Sequence, residues 1–298
     1  MGAPAGRLAG VCVVFLCSWP LAVLAQGRDE ADVARLVELL RSPDVEARDE
    51  AARDLLEMGP DAAPAVHGLI DALADNDPRV RRQAAFVLGL MRETGAPAVP
   101  ALAKCLTDAD ARTRGSAAFA LAMIRVGAEQ AVPALLECLS DGDPYVRQWA
   151  AEALGAVGEA AAPAIPALRE RLADTDASVR GSAASALGNL GDTAASTALI
   201  QRLADGDLSV RVHAAGALLQ LGRDRALAVS VLVESLGDAE PLLRVIAILA
   251  LLEAGEAGAP AVPALVDCLD DDDAGVRQMA AYVLERIQGP PHHDDEPR

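Results

Sequence analysis

Aspartate and arginine are the residues with the most obvious capacity for chemistry, because they recur together at one spacing. An aspartate stands six residues before an arginine in seven pairs: Asp75 and Arg81, Asp108 and Arg114, Asp141 and Arg147, Asp174 and Arg180, Asp205 and Arg211, Asp238 and Arg244, and Asp271 and Arg277. A catalytic pair copied seven times along a chain is implausible. We therefore interpret these charges as structural.

Other catalytic and ligand-binding patterns are missing from the sequence. Serine, histidine and aspartate nowhere stand at a recognisable triad spacing, and there is no glycine-rich phosphate loop. The cysteines beyond residue 25 do not form a Cys-x-x-Cys motif, so no zinc site is predicted. We expect no catalysis, no metal and no cofactor.

The arginines belong to a repeat that runs along most of the chain. Taken as anchors they are Arg48, Arg81, Arg114, Arg147, Arg180, Arg211, Arg244 and Arg277, spaced by 33 residues except for one interval of 31. A fixed period of this length is the signature of a solenoid. Alanine stands three residues after each arginine and leucine seven after it, which follows one face of a helix.

The residues around this helix predict where it begins and ends. Four residues before each arginine stands an acid, an aspartate in every unit except for Glu240, which can cap the first helical turn. Glycine eleven residues after the arginine ends the helix in five units. A shorter apolar segment, often with proline near its start, precedes each acid. Each unit is therefore predicted to be two antiparallel helices, here called helix A and helix B.

This pattern resembles the HEAT repeat family, including its bilin-lyase-like branch. The matching features are the helix-A proline, the turn aspartate and the helix-B run Val-Arg-x-x-Ala-Ala-x-Ala-Leu-Gly, over roughly residues 29 to 288. The resemblance implies an all-α fold, a right-handed α-α superhelix of about eight helix pairs. It also implies that the seven aspartates and their arginines form a ladder along the stack. Ser42 replaces the aspartate in the first unit, so a rung is expected to be missing there.

The charge of the chain limits its partners. The formal net charge is −18, and Lys104 is the one lysine, so nearly all positive charge is arginine. Binding to phosphates needs a basic face, and much of the arginine is committed to the ladder. We therefore exclude nucleic acid as a partner. Abundant alanine and few aromatic residues fit closely stacked helices.

The two ends of the chain differ from the repeat. Residues 1–25 are predicted to be an export signal, with Arg7 ahead of an apolar run that ends in small residues. An uncleaved anchor is the alternative, against which Pro20 and the short apolar run argue. Residues 26–288 form the solenoid, and 289–298 a disordered acidic tail, whose two histidines could hold a metal weakly. We expect an exported protein, periplasmic, cell-surface or secreted, without a membrane span after signal removal; its oligomeric state stays open.

The cysteines Cys105, Cys138 and Cys268 occupy one position of the repeat. Other units place Arg171, Arg202 or Ser235 there, so we expect this position to be half exposed. Stacked helices lie about 8–10 Å apart, whereas disulfide-linked Cα atoms lie within about 7 Å. A bridge between two of these cysteines is therefore not expected.

The positions that vary between units form one stripe on helix B, at two residues before and two, five and nine after the arginine. In the HEAT family this helix lines the concave face. All five aromatic residues beyond residue 25 lie on the stripe. An apolar and aromatic patch with arginine at its rim is typical of a protein-binding surface. The predicted partner site is Arg79, Phe86, Leu90, Arg112, Phe119, Met123, Tyr145 and Trp149.

Two interpretations of the function follow. The first is an exported scaffold that binds a protein or peptide through helix B, without catalysis. The alternative is a bilin-lyase-like or other cofactor-handling enzyme built from HEAT repeats. The metal-dependent hydroxylases of this type carry His-Glu pairs, but Gly68 follows His67 and Ala214 follows His213. A second interpretation of the aromatic residues also stays open, in which the rings only bury each other.

Overall fold

The computed structural model describes residues 30–40 and 42–288. Within these residues the regular structure is entirely helical, with sixteen α-helices and short 3-10 segments between many of them. The predicted export signal (residues 1–25) and acidic tail (289–298) lie outside the described residues, and both stay predictions.

The helices follow one another as eight A–B pairs, which confirms the predicted all-α repeat architecture. The A helices are α1 (Glu30–Leu39), α3 (Val66–Ala72), α5 (Val99–Cys105), α7 (Val132–Cys138), α9 (Ile165–Arg171), α11 (Ser196–Arg202), α13 (Arg225–Ser235) and α15 (Val262–Asp267). The B helices are α2 (Val45–Met58), α4 (Pro78–Leu90), α6 (Ala111–Ile124), α8 (Pro144–Val157), α10 (Ala177–Asn189), α12 (Leu208–Gln220), α14 (Pro241–Ala250) and α16 (Ala274–Gln288).

The described chain divides into two compact units, one ending at Ala186 and the other beginning at Leu187. In the compact unit that ends at Ala186, α4 packs on α6, and α6 packs on α8, so these three B helices lie side by side. In the compact unit that begins at Leu187, α12 packs on α14, and α14 packs on α16. Each described alanine three residues after an anchor arginine is fully buried, so these positions form the core of the stack.

The acids before helix B act as helix caps. Asp77 accepts a hydrogen bond from the backbone N–H of Arg79 at 2.9 Å, and Asp110 accepts from that of Thr113 at 2.7 Å. These bonds satisfy backbone donors that the first turn of a helix leaves unpaired. Glu240 makes no such bond, although it occupies the same position before α14.

Glycines end several B helices because the backbone there turns left-handed. Gly158 and Gly191 have φ values of 78° and 70°, which favour a residue without a side chain. Gly255 has φ 53° and ψ −132° and kinks the chain after α14. By length and composition alone, the helical stretch Pro241–Asp270 could cross a membrane, but this kink interrupts it.

Candidate partner-binding surface

The arginine ladder positions the B helices that carry the variable stripe. Arg81 donates from Nε and Nη2 to the two carboxylate oxygens of Asp108, both at 2.7 Å. Arg114 holds Asp141 in the same two-pronged way at 2.7 and 2.9 Å. Each arginine thus binds the aspartate of the following unit, 27 residues further on. Arg147 and Asp174 form the third such pair, at 2.9 and 2.8 Å.

The same side chains also close the turns between helices A and B. Nη1 of Arg114 donates to the backbone carbonyls of Asp108 and Ala109, which belong to its own turn. Asp141 Oδ1 accepts the backbone N–H of Asp143 at 2.9 Å. One arginine therefore joins the turn of its own unit to the turn of the next.

The first unit lacks the regular rung among the described residues, as expected, and is joined to the second unit by a different ion pair. Arg48 donates from Nη2 to Asp77 at 2.6 Å and from Nη1 to the carbonyl of Ser42 at 2.8 Å. Because each arginine reaches forward, the first unit has no preceding arginine that Ser42 would have to bind. Ser42 Oγ instead accepts the N–H of Asp44. Asp75, which holds the ladder position of the second unit, accepts the N–H of Asp77.

The remaining rungs are less uniform. Arg244 binds Asp271 through Nη2 alone, at 2.7 Å. Arg180 bonds the carbonyl of Asp174 in its own turn, and Asp205 accepts the N–H of Asp207. These contacts keep the turns closed in the same manner as in the other units.

One rung is open in the described chain. Arg211 bonds the carbonyls of Asp205 and Gly206 through Nη1, but it forms no ion pair with Asp238 among the described residues. A cavity of about 150 Å³, lined in part by Arg211, Ser235 and Asp238, lies at this junction. The contact between these two turns is correspondingly looser.

The ladder shifts the protonation of its aspartates. Burial by itself raises the pKa of Asp141, but hydrogen bonds from Arg114 and from the N–H of Asp143 outweigh it and lower the pKa. The balance is the same for Asp108 and Asp174. Hydrogen bonds from Arg79 lower the pKa of Asp77 to about 2. These carboxylates are therefore charged under ordinary conditions and act as structural groups.

The position expected to be half exposed is buried where cysteine fills it. Cys105, Cys138 and Cys268 are all buried. Cys105 Sγ donates to the carbonyl of Leu73, and Cys138 Sγ donates to that of Leu106. The thiols thus pack between successive A helices rather than facing solvent, and all three are unbridged.

We expect these thiols to be inert in the folded protein. Burial raises the pKa of Cys105 and Cys138 to about 11 from an ordinary value of 9.0, so the reactive thiolate is scarce. Because the folded state favours the neutral thiol, the contribution of these thiols to folding stability is complete below pH 9.0. That contribution is lost as the pH rises towards 11. A chain that begins at residue 26 should react with a maleimide only as fast as it unfolds. Labelling followed by mass spectrometry with and without urea checks this, and rapid labelling in buffer would contradict it.

The predicted partner residues meet on α4, α6 and α8 as a continuous row of aromatic rings. The rings of Phe86 and Phe119 stack with their centroids 5.0 Å apart, and Phe119 meets Trp149 edge to face at 4.8 Å. Tyr145 completes the row, 6.4 Å from Trp149. Three successive repeats thus contribute to one aromatic cluster. The cluster lies within the compact unit that ends at Ala186.

The cluster has a buried floor and an exposed rim. Phe119 is only 5% exposed, and Met123 is also buried. Phe86 is 39% exposed, and Arg79 on α4 and Arg112 on α6 are exposed as well. The remaining members of the predicted site, Leu90, Tyr145 and Trp149, are half-buried. The rings therefore bury one another in part and still present an accessible edge.

The polar groups of the cluster are unevenly satisfied. The guanidinium of Arg112 lies 5.4 Å from the ring centroid of Tyr145, a cation–π arrangement, and Arg79 pairs with Asp77 at 3.0 Å. Among the described residues Trp149 Nε1 is buried without a hydrogen-bond partner. A buried donor without an acceptor lowers stability, so this indole is a weak point in the packing of the cluster.

Gly115 is a residue of this surface that sequence analysis did not single out. A β-carbon at Gly115 would collide with the ring of Tyr145. The glycine thus allows the ring to lie directly against α6. A signal was available in the sequence, since the equivalent position holds Arg82 and Gln148 in the adjoining units.

A second apolar group lies on α14 and α16. Ile246, Leu249 and Met279 are buried, whereas Tyr282 is 39% exposed beneath the guanidinium of Arg286. Most of this group belongs to the core, and Tyr282 is its exposed ring.

Paired helices, capped turns and a repeated arginine ladder define an α-helical repeat protein. The model of HEAT repeats matches this chain over residues 33–122, 66–140, 99–188, 165–244 and 229–294. The chain belongs to the HEAT repeat family.

Several solved structures are similar to this chain. The complex of CpcE and CpcF of phycocyanin lyase from Nostoc sp. PCC7120 shares 26% identity at a TM-score of 0.59, over 89% of this chain and 98% of that one. An engineered protein shares 27% identity at a TM-score of 0.50, over 91% and 84%. The E. coli protein YibA shares the fold, with 22% identity and a TM-score of 0.51 over 96% and 99%. No curated protein sequence matches the chain.

Proposed function

We propose that this chain is an exported HEAT-repeat scaffold that binds a protein or peptide through the aromatic cluster on α4, α6 and α8. The observation that supports this most is the exposed edge of Phe86 over a floor of rings it stacks against. Large aromatic anchors with arginine at the rim dominate the energetics of protein interfaces. The ladder would hold the three helices in a fixed relation, so the surface would be presented rigidly.

The exposed ring and the charge of the chain indicate what the partner segment would bring. Phe86 would be covered by an apolar side chain, since its burial removes apolar surface from water. The net charge of −18 favours a partner whose flanking residues are basic.

The proposal that the chain binds a partner without catalysis is supported by which side chains have shifted pKa values. Enzyme sites concentrate shifted pKa values in a cleft. Here the lowered aspartate pKa values belong to the ladder and its caps, and the raised cysteine pKa values belong to buried packing. These shifts are accounted for by structure.

Replacing Phe86 by serine tests the proposal directly. Because Phe86 is 39% exposed, the Phe86→Ser variant should keep its melting temperature within a few degrees while affinity falls at least about 10-fold. The partner would first be captured from an envelope or secreted fraction with the wild type, then measured by calorimetry against each variant.

The matched control is Val126→Ser, which alters an apolar side chain of comparable exposure outside the cluster. Capture that survives Phe86→Ser unchanged, or that Val126→Ser weakens equally, would contradict the proposed surface.

A bilin-lyase-like activity is the second candidate. It is favoured by the similarity to the CpcE and CpcF complex of phycocyanin lyase along nearly the whole of both chains. Visible absorption of the purified protein, before and after mixing with a free bilin, tests it. A bound pigment would favour this candidate over a pure scaffold.

A further inference from the structure

The last helix pair leaves a stacking face uncovered. Leu269, eight residues before its anchor arginine, is 38% exposed, whereas the leucine at this position is buried in all seven other units. Those leucines are Leu40, Leu73, Leu106, Leu139, Leu172, Leu203 and Leu236. Val266, on α15 beside it, is 46% exposed. In the described chain nothing stacks on this side of the pair.

The same face continues along α16. Ala281, four residues after its anchor arginine, is exposed, whereas the equivalent residue of every other unit is buried. Arg277 bonds only the carbonyls of Asp271 and Asp272, and it forms no ion pair among the described residues. The guanidinium atoms that hold an aspartate elsewhere therefore face outward here.

The charges on this face are complementary to themselves. Arg277, Ala281 and Glu285 are all exposed and follow one another at intervals of four residues, so they lie on one side of α16. Arg277 and Glu285 stand at equal distances, about 6 Å along the axis, on either side of Ala281. If two copies of α16 crossed antiparallel at Ala281, Arg277 of each would oppose Glu285 of the other. The small alanine would let the helix axes approach to about 8 Å.

The opposite end of the repeat has a different character. The first helix pair carries a groove lined by Asp32, Arg35, Glu50 and Asp54, which is largely charged. A head-to-tail contact between copies would thus place the apolar side chains of the last pair against this charged groove. The end-to-end arrangement of two last units instead places apolar side chains on apolar ones and pairs Arg277 with Glu285.

We propose that the end face formed by Val266, Leu269, Arg277, Ala281 and Glu285 is a two-fold interface with a second copy of this chain. The interface is isologous, so the same patch serves both copies and the assembly closes at two. This inference is independent of the aromatic cluster, because it uses the unit that begins at Leu187.

Charge reversal at Glu285 tests the interface by sedimentation equilibrium. The wild type is expected at twice the mass of one chain. The Glu285→Arg variant would oppose Arg277 of the other copy in two places, and its dissociation constant should rise at least about 100-fold. Glu256→Arg, an equal change of charge at an exposed position outside this face, should leave the dimer intact.

The double variant Arg277→Glu with Glu285→Arg exchanges the two charges and should restore the dimer. A simple surface effect would not give this rescue, and thermal melting of each variant checks that the last pair stays folded. A monomeric wild type, an unchanged dimer in Glu285→Arg, or association beyond two copies would overturn the proposal. Removal of residues 289–298 tests the tail as an occupant: a chain that dimerises only after this removal would also overturn it.

Discussion

Replacement of Phe119 by alanine is expected to lower the free energy of unfolding by about 3–5 kcal/mol, the usual range for a buried phenylalanine. The residue is 5% exposed and touches a ring on each side, Phe86 in the preceding unit and Trp149 in the following one. Its removal therefore leaves a cavity shared by three helices, which a rigid stack cannot easily close.

Urea denaturation followed by circular dichroism measures this loss, with Phe86→Ala as the matched control. Phe86 lies in the same row but is 39% exposed, so its replacement should cost under about 1.5 kcal/mol. Equal losses in the two variants would show that the row is not layered into a floor and a rim.

This contrast decides which residues can report on binding. A variant at Phe119 would lose a partner through unfolding as readily as through lost contact. Phe86 changes the accessible edge with little effect on the core. The two hypotheses that the sequence leaves open, a partner site and mutual burial of the rings, therefore apply to different residues of the same row.

The second large effect is expected at the ladder, where Asp141→Asn should lower stability by about 1–3 kcal/mol. The side chains of Arg114 and Asp141 are 19% and 12% exposed, which places the pair between surface pairs at about 0–1 kcal/mol and buried pairs at about 3–5 kcal/mol. Asparagine keeps an oxygen for the N–H of Asp143, so the variant removes the ion pair and preserves the turn. Glu129→Gln, at an exposed position of the same unit, is the control.

The pH dependence of stability gives an independent check of the same rung. Because the pKa of Asp141 is lowered on folding, its contribution is complete above the ordinary value of 3.8 and is lost as the pH falls through the folded pKa. Denaturation curves recorded from about pH 7 downward should converge for wild type and Asp141→Asn at low pH. A constant difference between them at all pH values would contradict the charge-based account.

The scaffold is visible in the sequence because each of its positions repeats. The buried alanine after every anchor arginine, the capping aspartates and the glycine helix ends all follow from residue type and spacing within one unit. Glu240 shows the limit even there, since an acid at the capping position does not ensure a capping bond.

Contacts between units are harder to predict, because a single unit does not contain them. Arg48 finds Asp77 rather than Asp75, and Cys105 is covered by the turn that carries Leu73. The burial of Phe119 likewise depends on rings supplied from both sides. Sequence spacing places such residues on a face, but only the stacked neighbours determine how much of that face stays open.

The double role of the ladder arginines has a consequence for how the chain unfolds. Each such arginine closes its own turn and also binds the turn of the next repeat. Because of this link, unfolding of one repeat raises the probability that its neighbour unfolds, as in a one-dimensional Ising chain. Between Arg211 and Asp238 that link is absent among the described residues, and a cavity takes its place. Nearest-neighbour coupling is weaker there than across a closed rung, so a partly unfolded chain should have a boundary at this junction. Hydrogen exchange would detect it as a step in amide protection between α12 and α14.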